Sequence, residues 1–291
     1  IDPITEIAAL AQEKDILCHV DACIGGWVLP FQRELGVELP DFDFVVPGVT
    51  SMSVDLHKYG FTPKGCSVLL QRRRELRDSQ YYTCATWTGY SIINSTMLGS
   101  KSVAPMGAAW SVMKKLGREG YKKLIGHTWQ GTEKLIKGIE ATAGVKVLGT
   151  PRMGLIAMVT QGGDLFELAD RLTAKGWHVQ PTYEYGNSPA HIHLSVDPQN
   201  ASRVDEFLAS LAECVVDLPD TVEPPAPVIQ MLEMVAKSGG AGMNMGNMMG
   251  EFGIVDGQLP EAQATLHRLL NGISPDARQA LLVLFFGEMF S

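Results

Sequence analysis

Apolar and polar positions alternate in short blocks over the first hundred residues and then settle into long helical periodicities. In Ile4-Thr5-Glu6-Ile7-Ala8-Ala9-Leu10-Ala11 the apolar residues recur at i, i+3 and i+4, which predicts a helix from Ile4 to Glu13. The apolar run Ile16 to Val20 ends at Asp21 and predicts a strand of a buried parallel sheet. Phe42 to Val46 and Ser67 to Leu70 are further strand candidates, separated by loops rich in Gly, Pro and Ser. Helix followed by strand is half of an α/β repeat, so polar residues at these strand ends are candidates for chemistry.

Near Pro105 the pattern turns helical. Ala108 to Leu116 and Tyr121 to Ile139 predict one or two long helices that link two domains. Met153 to Thr160 and Ile192 to Val196 read as strands, and Leu165 to Lys175 and Val204 to Cys214 as amphipathic helices, together a small α+β domain. Glu223-Pro224-Pro225-Ala226-Pro227 reads as a linker, and the Gly/Met-rich stretch Gly239 to Gly250 as a mobile connection or a segment that wraps a neighbour. Pro260 to Leu270, with Pro near its start, and Pro275 to Phe290, preceded by Ser274 as N-cap, predict two closing helices. The expected division is therefore 1–135, 136–222 and 223–291. Because the sequence starts at Ile1, without an initiator Met and directly in a helical pattern, it reads as entering the first domain midway.

A net charge of -8 and a pI near 5.4 weigh against nucleic acid or an anionic membrane as main partner, since binding a polyanion rests on neutralising phosphates. Arg72-Arg73-Arg74 is a local exception that reads as a solvated helix start. The five cysteines, Cys18, Cys23, Cys66, Cys84 and Cys214, are scattered without C-x-x-C spacing, so neither a disulfide framework nor a zinc site is expected and a reducing cytoplasm fits. No apolar stretch approaches the roughly 18 to 20 residues of a membrane span, and Leu281 to Phe286 reads as a buried helix face.

The chemistry concentrates in Ser53-Val54-Asp55-Leu56-His57-Lys58-Tyr59-Gly60, where a His-Lys pair stands between a polar loop and a Gly that permits a tight reversal. Alone, such a pair is ordinary surface. Upstream, Cys18-His19-Val20-Asp21-Ala22 brings an apolar strand to an end in a carboxylate. Pyridoxal phosphate needs both groups: an unprotonated amine to condense with its aldehyde as a Schiff base, and a carboxylate to keep its ring nitrogen protonated. Lys58 supplies the amine and Asp21 the charge; the competing reading of Asp21 is a cap after a strand. His19 lies on the same strand face as Asp21 if the residues alternate, as support more than as a catalyst.

His19-Val20-Asp21-Ala22-Cys23-Ile24-Gly25-Gly26, Gly48-Val49-Thr50-Ser51 and Asp55-Leu56-His57-Lys58-Tyr59-Gly60-Phe61-Thr62-Pro63-Lys64-Gly65 together resemble the sphingosine-1-phosphate lyase branch of the group II pyridoxal-phosphate-dependent decarboxylase family. The likeness continues through Thr86-Trp87-Thr88-Gly89, Gly99-Ser100-Lys101, Gly117-Arg118-Glu119-Gly120-Tyr121 and Ala174-Lys175-Gly176-Trp177, over about residues 1–215. It implies the α/β fold of aspartate aminotransferase, fold type I. Residues 1–135 would be the C-terminal part of the large cofactor-binding domain, followed by the small α+β domain. It also implies a homodimer with shared active sites, in which Gly99 and Ser100 reach the cofactor phosphate of the neighbouring subunit. His57 is placed at the phosphate and Cys23 beneath the ring.

Lys64 distinguishes the branch: the resemblance implies a contact with the substrate's phosphate, and the competing reading is a lysine exposed in a turn. Two departures stand out. The family's Gly-Ser-Arg-Pro-Gly-Gly is replaced by Gly99-Ser100-Lys101-Ser102-Val103-Ala104, which loses a guanidinium and two glycines, and the upstream segment that holds the cofactor phosphate and stacks on the ring has no counterpart. The expected activity is a carbon–carbon lyase that cleaves a phosphorylated long-chain amino alcohol to a fatty aldehyde and ethanolamine phosphate. Its rivals are an L-amino-acid decarboxylase using the same lysine and aspartate, and a non-catalytic relative that serves as an interaction module.

Overall fold

The structure, a computed structural model, describes residues 1–240, 250, 258 and 260–289 and divides into two compact units, 1–130 and 131–291. Most of the Gly/Met-rich stretch lies outside the described residues.

In the first unit, α1 (Ile4–Glu13) leads into β1 (His19–Asp21), α2 (Gly25–Glu34), β2 (Ser51–Asp55) and β3 (Ser67–Gln71). The sheet order is β1-β2-β3, with β1 parallel to β2 and β3 antiparallel to it. One face is apolar: Val20, Met52 and Val54 pack with Ala8, Ala11, Leu29 and Val49. Gly48 permits the close approach of α1, because a Cβ there would stand 2.2 Å from the Ala8 carbonyl oxygen. The opposite face carries His19, Asp21, Ser51 and Ser53, so β1 is buried on one side only, and the expected strand of a doubly buried sheet is corrected. Ile16 and Leu17 precede the strand and are exposed.

Two further readings change. Phe42 to Val46 is a series of turns rather than a strand. The carbonyls of Phe44, Val46 and Val49 accept hydrogen bonds from the Arg72 guanidinium, which satisfies them without a neighbouring strand. Arg72 is thus a clamp on this loop, while Arg73 and Arg74 open the short helix α3 (Arg74–Asp78). A small hairpin of β4 (Tyr82–Cys84) and β5 (Ile92–Asn94) follows. Helix α4 (Ala104–Ala141) is broken at Gly117, whose φ of 57° and ψ of -176° separate the two apolar runs seen in the sequence.

The second unit holds an antiparallel sheet in the order β6 (Val145–Leu148), β7 (Leu155–Thr160), β9 (His191–Ser195), β8 (Gln180–Thr182). Helices α5 (Leu165–Ala174) and α6 (Val204–Cys214) pack their apolar stripes in one core with Ile156, Met158 and Ile192. The expected linker is already helix from Ala226: α7 (Ala226–Ser238), α8 (Ala264–Gly272) and α9 (Pro275–Met289) share a small core of Leu232, Val235, Leu269, Ile273 and Leu281. Ser274 caps α9 through the Ala277 N–H. Leu281 to Phe286 is not a buried face, because Leu282, Val283 and Phe286 are exposed.

Candidate active site

The polar face of the first sheet gathers the predicted groups. Parallel pairing sets His19 beside Ser51 and Asp21 beside Ser53. The side chains form a chain of hydrogen bonds: Ser51 Oγ lies 2.8 Å from His19 Nδ1, Ser53 Oγ lies 3.3 Å from His19 Nε2, and Ser53 Oγ donates to Asp21 Oδ1 at 3.1 Å. The Cys23 N–H also donates to Asp21 Oδ1 at 3.1 Å. That N–H, then the Cys23 side chain and the Ser53 hydroxyl, hold the Asp21 carboxyl below the ordinary carboxylate range, and the Lys58 charge adds to the effect. His19 is thus linked to Asp21 by hydrogen bonds through Ser53.

Lys58 is aimed by a tight reversal after β2. The Lys58 N–H donates to the Asp55 carbonyl, the Phe61 N–H to the Lys58 carbonyl and the Thr62 N–H to the Leu56 carbonyl. Gly60 is required here, since a Cβ would stand 2.4 Å from the Leu56 carbonyl oxygen. Beneath the turn, the buried Tyr121 donates to the Gly60 carbonyl at 2.8 Å, and its ring contacts those of Trp27, Phe31 and Phe61. Lys58 Nζ lies 2.9 Å from Asp55 Oδ2, and hydrogen bonds to Cys23 first and Asp55 second raise its pKa above the ordinary lysine value.

Asp21, Cys23, Ser53, Asp55 and Lys58 thus converge where β1 and β2 end. An amine and a carboxylate beside one open sheet face are the pair of groups that pyridoxal phosphate requires, the carboxylate already held ionised and the amine still to lose its proton, so the residues present fit that group. His57 hydrogen-bonds through Nδ1 to the Cys66 carbonyl at 2.8 Å and sets Nε2 3.7 Å from Asp55 Oδ2. Lys64 is exposed in the bend after Pro63, and Gly99 and Ser100 are exposed in the loop before α4. The roles of Ser53, Asp55 and Tyr121 were not read from the sequence. The alternation Ser51-Met52-Ser53-Val54-Asp55 is the signal that could have exposed the first two, by marking a half-buried strand.

Comparison with known proteins shows the family and the fold. The chain is 40% identical over 229 residues to the sphingosine-1-phosphate lyase of Oryza sativa subsp. japonica, an alignment covering 78% of this chain and 41% of the relative. It is 36% identical over 179 residues to a probable L-tyrosine/L-aspartate decarboxylase of Methanothermobacter thermautotrophicus, covering 62% of this chain and 48% of that protein. The solved sphingosine-1-phosphate lyase of Burkholderia pseudomallei K96243 superposes with a TM-score of 0.70 at 34% identity, over 74% of this chain and 48% of that one. The chain thus spans about two-fifths of the rice relative it matches. Its fold is that of the pyridoxal-phosphate enzymes of fold type I. Residues 1–160 match the pyridoxal-dependent decarboxylase conserved domain, and the chain belongs to that family.

Proposed function

We propose that this chain carries the lysine and aspartate of a pyridoxal-phosphate-dependent carbon–carbon lyase that converts a phosphorylated long-chain amino alcohol to a fatty aldehyde and ethanolamine phosphate. The observation that carries the reading is the convergence of Lys58 and Asp21 at the carboxyl ends of adjacent parallel strands, where ligands of open α/β sheets bind. Bound pyridoxal phosphate supplies an electron sink for the bond broken at the amine-bearing carbon.

Lys58 presents the primary amine that joins the aldehyde and, when free, carries a proton at Nζ. Asp21 would hold its negative charge toward the ring nitrogen, and Cys23, whose N–H donates to Asp21, would be among the residues that hold the ring. Lys64 offers an exposed ammonium as point-charge partner for the substrate's phosphate dianion. His57, and Gly99 with Ser100 from the neighbouring subunit, serve the cofactor phosphate. A homodimer is part of the proposal and is supported by the exposed Tyr82, Trp87, Tyr90, Ile93, Met97 and Leu98. A cytoplasmic site of action fits the five free cysteines.

Amino-acid decarboxylation is the second reading, favoured by the family's description and by the archaeal relative. To separate them, the protein is supplied with pyridoxal phosphate and incubated with a sphingoid base phosphate and, separately, with a panel of amino acids. Aldehyde release that disappears in Lys58→Ala is the expected result. Carbon dioxide release instead would transfer the assignment to decarboxylation. A protein that takes up no cofactor and yields neither product would leave only an interaction role.

A further inference from the structure

Asp21 and Asp55 divide the work at this site. Asp21 Oδ1 is occupied by the Cys23 N–H and the Ser53 hydroxyl. The ion pair of Lys58 is made with Asp55, at 2.9 Å between Nζ and Oδ2. Asp55 is the last residue of β2, and the reversal after it brings positions i and i+3 together, with the Lys58 N–H donating to the Asp55 carbonyl. From β3, Ser67 stands opposite Asp55 in the antiparallel register and donates its hydroxyl to Asp55 Oδ1. The carboxylate is therefore fixed by the sheet, with its second oxygen left to face the lysine. The charged and titratable groups around the amine are Asp55 from β2, His57 from the turn, and Asp21 and Cys23 from the corner between β1 and α2.

We propose that Asp55 is a positioning residue for Lys58, docking the lysine's ammonium at the end of β2 whenever the lysine is not attached to cofactor. The docked ammonium must give a proton to solvent before its lone pair can attack an aldehyde, so Asp55 opposes attachment at neutral pH and keeps a proton on the lysine once it is released. The mechanistic consequence rests on Lys58 being the cofactor lysine; the docking itself does not.

The test follows the reactivity of the amine directly. The whole chain is acetylated in competition with a free reference amine across a pH series, and each lysine is read by peptide mass spectrometry. In the unaltered protein, Lys58 is expected to become reactive at higher pH than the exposed Lys64. In Asp55→Asn its reactivity at a fixed pH below the transition should rise about tenfold or more, the size expected when a charged neighbour within hydrogen-bonding distance is lost. Asp55→Glu should recover much of the protection. If Lys58 reacts in step with Lys64 in the unaltered protein, docking is refuted without reference to any variant. Coincident Lys58 profiles in the unaltered protein and Asp55→Asn would equally overturn it. Cofactor uptake is measured separately: a protein that shows the acetylation pattern but takes up no pyridoxal phosphate keeps the docking and loses the enzymatic reading.

Discussion

At the scale of single residues, the position of Lys58 depends on a glycine two places further on. The Gly60 Cα faces the Leu56 carbonyl so closely that a methyl group would stand 2.4 Å from its oxygen, and the same glycine's carbonyl accepts the Tyr121 hydroxyl. Backbone cannot yield as a flexible side-chain end can. Gly60→Ala should therefore cost about 1–3 kcal/mol of stability in chemical denaturation, the range for forced overpacking. Gly99→Ala is the matched control: a Cβ there meets no atom within 4 Å, so the change should stay within about 0.5 kcal/mol. Equal stability of the two variants would show that the turn is not pinned as described. Asp21 and Lys58 were legible in the sequence because a carboxylate ending an apolar strand and a lysine before a glycine are local patterns. Ser53 and Tyr121 were not, because their partners come from other elements, and Asp55 was not, because its pairing with Lys58 depends on the turn that follows β2 and on Ser67 from β3. The Tyr121 hydroxyl meets Gly60 across 61 residues, and no periodicity announces such a contact.

At the scale of elements, helices were read more securely than strands. The sequence predicts α1, α5 and α6 nearly to the residue; α5 and α6 bury their apolar stripes, whereas α1 packs through Ile4, Ala8 and Ala11 and leaves Ile7 and Leu10 exposed. Short strands carry less pattern: the largely apolar segment Phe42 to Val46, interrupted by Asp43, forms turns, while the alternating Ser51 to Asp55 forms the central strand. Helix α8 illustrates packing that no pattern reveals. Its His267 ring stacks on Phe166 at 5.7 Å between centroids, and Nδ1 lies 2.9 Å from the Tyr183 hydroxyl. Burial pushes the His267 pKa below its ordinary value of 6.5, against a smaller opposing effect of Asp170. The unfolded chain then takes up the proton first. The contribution of the neutral ring to stability is present above pH 6.5 and is lost as pH falls through the lower folded value. The protection of the α8 amides, measured against their intrinsic exchange rates at each pH, should fall on going from neutral to mildly acidic solution, and His267→Phe should remove most of that dependence. An α8 whose protection has the same pH response in both proteins would contradict this account.

At the scale of the molecule, the question is whether the C-terminal helices are an appendage or part of the second unit's fold. Asp164 is fully buried, caps α5 by accepting the Phe166 and Glu167 N–H groups, and receives Arg268 Nε from α8 at 2.7 Å. The Ala264 N–H donates to Asp170, the Glu184 N–H donates to Asn271 Oδ1, and the Arg278 guanidinium lies 4.4 Å over the Tyr183 ring. These contacts tie α8 and α9 to α5 and to the segment after β8, with a charge at the centre that has no access to water. Removing the guanidinium alone should therefore be costly: Arg268→Met leaves the Asp164 carboxylate buried with only its two backbone donors, and a loss of about 3 kcal/mol is expected. Ending the chain at residue 222 instead exposes Phe166 and Tyr183 while letting water reach Asp164, so the apolar loss is exchanged for relief of the stranded charge. Both variants should raise amide exchange in α5 and β8 and leave β1 and β2 unchanged. Were the C-terminal helices an appendage, α5 would exchange in the truncated chain as it does in the chain of 291 residues, and Arg268→Met would unfold at the same denaturant concentration as the unaltered protein.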